Sequence, residues 1–382
     1  MTASESQPAP TLKAWLAGPM EAPAGTVIER VLNLEDVVHV AVMPDVHLAT
    51  DVCVGTVMAT RRLVYPAAVG GDIGCGMLAI AFDAQAHAVR NPVHAGAILR
   101  AMGERIPTQR RNRARLAAMP DLLATSSLSH PSLCAALQSH GRLQLGTLGG
   151  GNHFVELQAD EEDRLWLMIH SGSRNIGQVI KAFHMAGATI GSGSMRALDT
   201  HTDAGQAYLH DQEWARRFAD ANRLAMAAEV IEILGELLNI RAVESAAISC
   251  DHNHVAAEQH LGQLLLIHRK GTMPADAGLP GVVPGSMGTQ SFHVEGKGCE
   301  ASLRSSAHGA GRLLSRHAAR ERFARSDLRG QMEGVWFDTR LADAMREESP
   351  RAYKDIRAVM RAQGELVKIT RTLRPVLVYK GK

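Results

Sequence analysis

Residues 69–77 read VGGDIGCGM and set a carboxylate, Asp72, three residues from a thiol, Cys75, among glycines. A C-x-x-C pair would suggest redox chemistry or a structural zinc, but this stretch holds a single cysteine. Four histidines in similar surroundings supply a second clue: His153 in GTLGGGNHFVE, His170 in LMIHSGSR, His252 in CDHNH and His308 in SSAHGAGR. A neutral imidazole at a strand end beside a tight turn is a common placement for a metal ligand. Any one of them alone reads best as a histidine satisfied by backbone. Together with Asp72 and Cys75 they offer a carboxylate, a thiolate and several imidazoles, a donor set for a transition metal. One thiolate can bridge two ions, and ions roughly 3.5–4 Å apart suit phosphoryl chemistry. Donor softness alone selects zinc over manganese for such a set, and spacing does not choose between them.

Glycine loops are the third clue. GGGNHF, PGSMG and HGAGR each present unobstructed backbone N–H groups, although none is a G-x-x-x-x-G-K-[ST] or G-x-G-x-x-G sequence. HGAGRLLSR reads as a glycine turn running into a helix whose first N–H groups would hold an anion. His308 lies on that loop, with Arg312 one expected helical turn later and Arg316 beyond it. An imidazole so placed could attack a nucleotide α-phosphate, against the plainer reading as a capping or general-acid histidine.

These residues need elements to position them. Strands are predicted at VVHVAVM (37–43), CVGTVMAT (53–60), MLAIAF (77–82), LWLMIH (165–170) and LLLIHR (264–269), from β-branched and apolar runs bounded by turns. Residues 213–242 carry Trp214, Phe218, Leu224, Ile231, Leu234 and Leu238 at helical spacing, which predicts a long amphipathic helix or a helix pair. Helical composition returns in GRLLSRHAARERFA, and RKGTMPADAGLPGVVPGSMG reads mostly as turns. Strands and helices alternate irregularly without repeat or linker. That predicts an α+β chain forming one domain over residues 1–382, with mixed sheets flanked by helices and residues 1–10 as a flexible N-terminus.

Composition limits the partners. With 46% hydrophobic residues the chain can bury a sizeable core, while 35 glycines against 4% aromatics favour sites built from loops. A formal charge of +2, from 41 basic and 39 acidic residues, gives no whole-molecule signature of nucleic-acid binding. Local basicity peaks in ERIPTQRRNRAR, with Arg105, Arg110, Arg111, Arg113 and Arg115, either a solvated face or a phosphate contact. Five scattered cysteines argue against a disulfide framework and for a reduced, cytoplasmic protein. No signal-peptide pattern opens the sequence and no apolar run is long enough to span a bilayer, so no membrane partner is expected.

AVMPDVHL, PAAVGGDIGCGM, LGTLGGGNHFVE, HSGSRNIG, HNH, PGSMGTQSF, HGAGR, AYKDI and the terminal VYKGK occur in the order found in the RtcB family, which the chain resembles from about residue 10 to its end. The resemblance implies a GTP- and Mn²⁺-dependent ligase that joins RNA 3′-phosphate or 2′,3′-cyclic phosphate ends to 5′-hydroxyl ends. It implies Cys75 as a thiolate bridging two Mn²⁺ ions, with Asp72 and His153 on one ion and His170 and His252 on the other. His308 would be the guanylated nucleophile. The nucleotide pocket would take Asn152, His153, Phe154, Val155 and Glu156, then His252 and Asn253. Pro284, Gly285, Ser286, Met287 and Ser291 would follow, with Gly309, Ala310 and Gly311 beside His308, and Lys380 near the end. Arg174, Arg312 and Arg316 would contact RNA phosphates.

Three departures stand out: Asn175 where the family usually has glycine, tolerable in a left-handed conformation; Arg61 and Arg62 in place of a Lys-Gly pair; and a trimmed segment around 105–140. The shorter form resembles a bacterial branch linked to release factor H, implying repair of cleaved rRNA or tRNA, with any activating partner left unspecified. Two other readings share these residues: a metal-dependent phosphoesterase that opens cyclic phosphates without joining, and an RNA-end-binding protein with structural metals.

Overall fold

Valine-rich runs in the first third of the chain form strands, as their β-branched composition predicts. The computed structural model describes residues 9–381, so the expected flexible N-terminus lies outside the described residues except for its last two positions. The strands that matter for the site are β1 (Thr11–Ala14), β2 (Val37–His47), β3 (Val54–Thr60), β4 (Gly76–Gln85), β5 (Phe154–Ala159), β6 (Arg164–Ser171), β7 (Ala242–Asp251), β8 (Asn253–His260), β9 (Gln263–Lys270), β10 (Pro280–Val283), β11 (Ser291–Gly296) and β12 (Val367–Lys380). One sheet runs β1-β2-β3-β9-β8, and a second runs β10-β11-β12-β5-β6-β4-β7, with a short strand Trp336–Phe337 added beside β12. The pairing is mixed: β1 lies parallel to β2, while β4 is antiparallel to both β6 and β7. The fold is α+β, as expected.

Alternation along β6 explains the layering. Leu165, Leu167 and Ile169 point to one face, where they pack with Ile98 and Met102 of helix α1 (Pro92–Arg105) and with Met226, Val230 and Ile233 of a long helix. Trp166 and Met168 point to the other face and join Met77, Val282 and Leu373. End strands β10 and β7 approach each other, so the second sheet curls around this inner cluster. His170 belongs to the inner set, so the curl carries the end of β6 toward the first sheet.

Helix α2 (Arg174–Gly187) follows β6, and the long helix is α3 (Asp203–Leu238), a single element rather than a pair. It begins ten residues before the stretch read from periodicity. The Thr202 hydroxyl caps its start by accepting from the Gly205 N–H at 3.3 Å, and Asn239 ends it in a left-handed conformation (φ 54°). The first turns hid because Asp211 and Gln212 are buried polar residues, which break the apolar period.

Two further expectations are corrected. The glycine- and proline-rich stretch contains the strand Thr272–Pro274, which pairs with residues 305–307, and β10, which forms a hairpin with β11. The HGAGR loop does not run into a helix. Arg312 instead bridges to Tyr353, and helix α4 (Arg316–Arg322) starts only after the Ser315 cap, so its N–H groups are not those of the glycine loop. The cysteines are all free, and among the described residues no helix is long and apolar enough to cross a membrane.

Candidate active site and metal centre

Four adjacent strands of the curled sheet, in the order β5, β6, β4 and β7, each bring one donor to the same end. His153 immediately precedes β5, His170 sits near the end of β6, Cys75 immediately precedes β4, and His252 follows β7. Register fixes them: Gly76 pairs with both Ser171 and Asp251, and the His252 N–H donates to the Cys75 carbonyl at 2.8 Å. Asp72 joins from the turn before β4. That turn needs Gly74 at φ +68°, where its N–H reaches the Asn253 carbonyl and a side chain would run into the backbone of Arg216.

The donors fall into two triads that share one thiol. Asp72, Cys75 and His153 form the first, and Cys75, His170 and His252 the second, with the ligand atoms of each within 4.8 Å of one another. His153 Nε2 lies 2.9 Å from Asp72 Oδ2 and 3.5 Å from Cys75 Sγ. His170 Nε2 lies 3.1 Å from the same sulfur and 3.3 Å from His252 Nε2. The His170 Nδ1–H donates to the Asn152 carbonyl at 3.1 Å, which turns the Nε2 lone pair toward the sulfur.

Electrostatics suit cation binding. Burial opposes ionisation of Asp72, yet the charge and hydrogen bond of His153, aided by Cys75 and Arg174, hold its carboxyl at about 2. Burial and neighbouring imidazoles push His170 and His252 well down, so both are neutral ligands. Burial and the Asp72 charge push the Cys75 thiol well up, a thiolate that only a cation would favour at neutral pH. The donor set therefore fits two divalent cations sharing Cys75. Arg216 and Arg223 of α3 brace the centre from behind: Arg216 Nε holds Asp251 at 2.7 Å, and Arg223 Nη1 donates to the carbonyls of Gly74 and Ser171.

A cavity of about 400 Å³ opens beside the second triad. Its wall includes thirteen of the seventeen residues expected around a nucleotide: Asn152, Phe154 and Glu156, then Pro284 through Met287, Ser291, His308 through Gly311, and Lys380. The other four lie elsewhere. Val155 alternates to the opposite face of β5 and is buried in the helix-covered core. Asn253 braces the backbone, donating to the Asp72 carbonyl at 3.0 Å and accepting from the Gly271 N–H at 2.8 Å. His153 and His252 belong to the triads.

Glu156 is nearly fully buried in this wall. Burial raises its carboxyl to about 8, against the lowering pull of a Gln158 hydrogen bond and of Lys380. The ligand-free protein thus keeps Glu156 protonated at neutral pH. Below its ordinary value of 4.5 both folded and unfolded chains hold the proton; between 4.5 and about 8 only the fold retains it, so the wild type loses stability as pH rises. Glu156→Gln should therefore gain stability over wild type progressively across that window and level off above it, by an amount on the order of 5 kcal/mol at most. Paired melting curves at pH 5, 7 and 9 check this; a constant difference would contradict it.

His308 is held by partners far away in sequence. Its Nδ1 lies 2.7 Å from Asp45 Oδ2 across 263 residues, and its ring centre is 4.5 Å from that of His252. With the proton on Nδ1 facing the carboxylate, the Nε2 lone pair is free. Lys354 grips the backbone on both sides of Asp45, donating to the carbonyls of Pro44 (3.0 Å) and Val46 (2.5 Å), while its own N–H donates to the Gly311 carbonyl at 3.0 Å. Gly311 has φ +72°, and a Cβ there would overlap the Asp45 carbonyl. Gly311→Ala is expected to cost about 2–5 kcal/mol, from left-handed strain plus overpacking. A melting temperature equal to wild type would refute that close approach. Asp45 and Lys354 escaped the residue-level reading, although the strings AVMPDVHL and AYKDI contain them.

The arginines sort differently from expectation. Arg312 is consumed internally, by Glu348 at 3.1 Å, the Tyr353 hydroxyl at 3.1 Å and the carbonyls of Leu314 and Glu347. Arg316 also pairs with Glu348, at 3.1 Å, but remains half-exposed on the cavity wall. Arg174 places Nη1 3.4 Å from His153 Nδ1. Arg174 itself takes the left-handed backbone (φ 59°), one residue before Asn175, which lies within the first turn of α2.

Fold and site together define an α+β protein with two triads of candidate metal ligands, sharing the Cys75 thiol, beside a glycine-walled cavity. The family described as tRNA-splicing ligase RtcB matches residues 27–132 and 124–381, and the chain belongs to the RtcB family. It is similar to RNA-splicing ligase RtcB of Escherichia coli (strain K12), at 36% identity over 400 residues covering 97% of each chain. It is also similar to tRNA-splicing ligase RtcB of Thermococcus kodakarensis, at 27% identity over 89% of this chain and 87% of the relative. RNA-splicing ligase RtcB of Mycobacterium tuberculosis is 27% identical over 89% of this chain and 96% of its own.

Proposed function

We propose that the chain is an RNA ligase that consumes GTP and joins an RNA 3′-phosphate, or a 2′,3′-cyclic phosphate opened by water, to a 5′-hydroxyl end. The observation that carries this reading is the placement of His308: fixed through Nδ1 by Asp45, with its ring tilted against that of His252, on the wall of a nucleotide-sized cavity. His308 Nε2 attacks the α-phosphorus of GTP, forming an N–P bond as the bond to the β-phosphate breaks and pyrophosphate leaves. The RNA 3′-phosphate oxygen then displaces His308 and takes the guanylyl group. The 5′-hydroxyl attacks the RNA phosphorus, and GMP departs.

Asp72, Cys75, His153, His170 and His252 would hold two Mn²⁺ ions, which neutralise phosphate charge and polarise the reacting phosphorus. The chain's own groups do the rest. Asp45 keeps His308 in the reactive tautomer and stabilises positive charge on its ring. The N–H groups of Gly309 and Gly311 can cradle phosphate oxygens, and Glu156 can accept from the N–H edge of guanine.

RNA bearing a 3′-phosphate, RNA bearing a 5′-hydroxyl, Mn²⁺ and either GTP or ATP provide the test. A joined strand with GTP and little with ATP is expected. Cyclic-end hydrolysis without a joined strand would replace the proposal with a phosphoesterase.

A further inference from the structure

The arginine run divides into two groups with different fates. Arg105 pairs with Glu236 and Glu232 of α3. Arg111 is clamped by Glu229 at 3.1 Å and by the carbonyls of Leu145 and Gly146. These two anchor the segment and occupy the acidic ridge of α3. Arg110, Arg113 and Arg115 are exposed, as is Arg142, and among the described residues no side-chain hydrogen bond or ion pair neutralises any of the four.

Backbone contacts bring this unpaired charge to the metal centre. The Gly149 N–H donates to the Thr108 carbonyl at 2.8 Å, and the Arg111 N–H to the Leu143 carbonyl at 2.7 Å, so Arg110 and Arg142 flank one joint. Arg174, whose Nη1 lies beside His153, places Nη2 3.5 Å from the same Thr108 carbonyl. Arg110 is two positions beyond Thr108, about 7 Å of chain at most. The strip therefore starts on the Asp72–His153 side of the centre, whereas the nucleotide cavity opens onto His170 and His308.

We infer that Arg110, Arg113 and Arg142, continuing from Arg174, form a docking track for the phosphodiester backbone of the RNA strand that enters the metal centre away from the nucleotide cavity. This rests on the RNA-ligase reading. Guanidinium forks match phosphate oxygens, and Arg110 and Arg142, exposed on the two sides of the Arg111–Leu143 contact, are like charges that an anion between them would neutralise. Residues 105–145 contain no phenylalanine, tyrosine or tryptophan, so what this segment itself offers a nucleic acid is charge for phosphates rather than a ring for bases.

The test compares wild type with the triple variant Arg110→Gln, Arg113→Gln, Arg142→Gln, using a single-stranded RNA ending in a 3′-phosphate. The slope of log affinity against log salt should become shallower by about 2, from about 0.7 per lost contact on a single strand. Joining at subsaturating RNA should fall at least about tenfold, since about 1.4 kcal/mol is tenfold in affinity. Labelling by GTP carrying label on the α-phosphate should persist, which also reports that the variant is folded; if the triple variant does not label, the double variant Arg110→Gln, Arg142→Gln replaces it. Arg105→Gln, which breaks only pairs to α3, should leave the slope unchanged. An unchanged slope with normal labelling overturns the track, as does an equal loss with Arg105→Gln. Wild-type protein that neither labels nor joins overturns the ligase reading beneath it.

Discussion

Cys75→Ala is expected to strip the protein of both bound cations. The thiol is the one donor common to both triads, and its sulfur lies 3.1 Å from His170 Nε2 and 3.5 Å from His153 Nε2. A ligand that only supports another typically changes metal affinity about 10–100-fold, so loss of a bridging ligand should exceed about 100-fold. Equilibrium dialysis against Mn²⁺ should find two ions per wild-type chain and none in the variant at the same free metal. Asp72→Ala touches one triad only and should retain one ion. If Cys75→Ala keeps one tightly bound ion, the shared-thiol arrangement is wrong.

His308→Ala should reduce joining of 3′-phosphate RNA to background, a loss of at least about 10⁴-fold if the histidine is the nucleophile rather than a general acid. The same variant should still join RNA whose 3′-phosphate already carries the guanylyl group, because the final displacement does not use Nε2. That split separates a covalent role from a structural one. A fully inactive variant on guanylylated RNA would show that the substitution damages the site more broadly. Asp45→Asn should weaken the first reaction through orientation, with little effect on the second, since its 2.7 Å contact is to His308 alone among the reacting groups.

Much of this site was legible because its donors sit at strand ends, where apolar runs give way to glycine turns. The runs containing Val40, Val57, Ile80, Met168 and Ile267 all form strands, and the boundaries move by only a few residues. The structure brings Asp72, Cys75, His153, His170 and His252, singled out from donor chemistry and family resemblance, into two adjoining triads. What escaped depended on long-range contacts. Asp45 reaches His308 across 263 residues, and Glu348 neutralises Arg312 from 36 residues away, so neither partner has a local signature. Polar burial also misled: Asp211 is wholly buried with His184 at 2.7 Å, and no periodicity of apolar residues can reveal such a helical turn. The left-handed conformation that would accommodate Asn175 in place of glycine falls instead on Arg174.

The most direct test of the central claim is incubation of the protein with Mn²⁺ and GTP labelled at the α-phosphate, followed by denaturing electrophoresis. The account predicts a labelled protein band that is stable to alkali, released by acid and absent in His308→Ala, as a phosphoramidate on that histidine requires. A wild-type protein that loads two metal ions yet never takes label would contradict it.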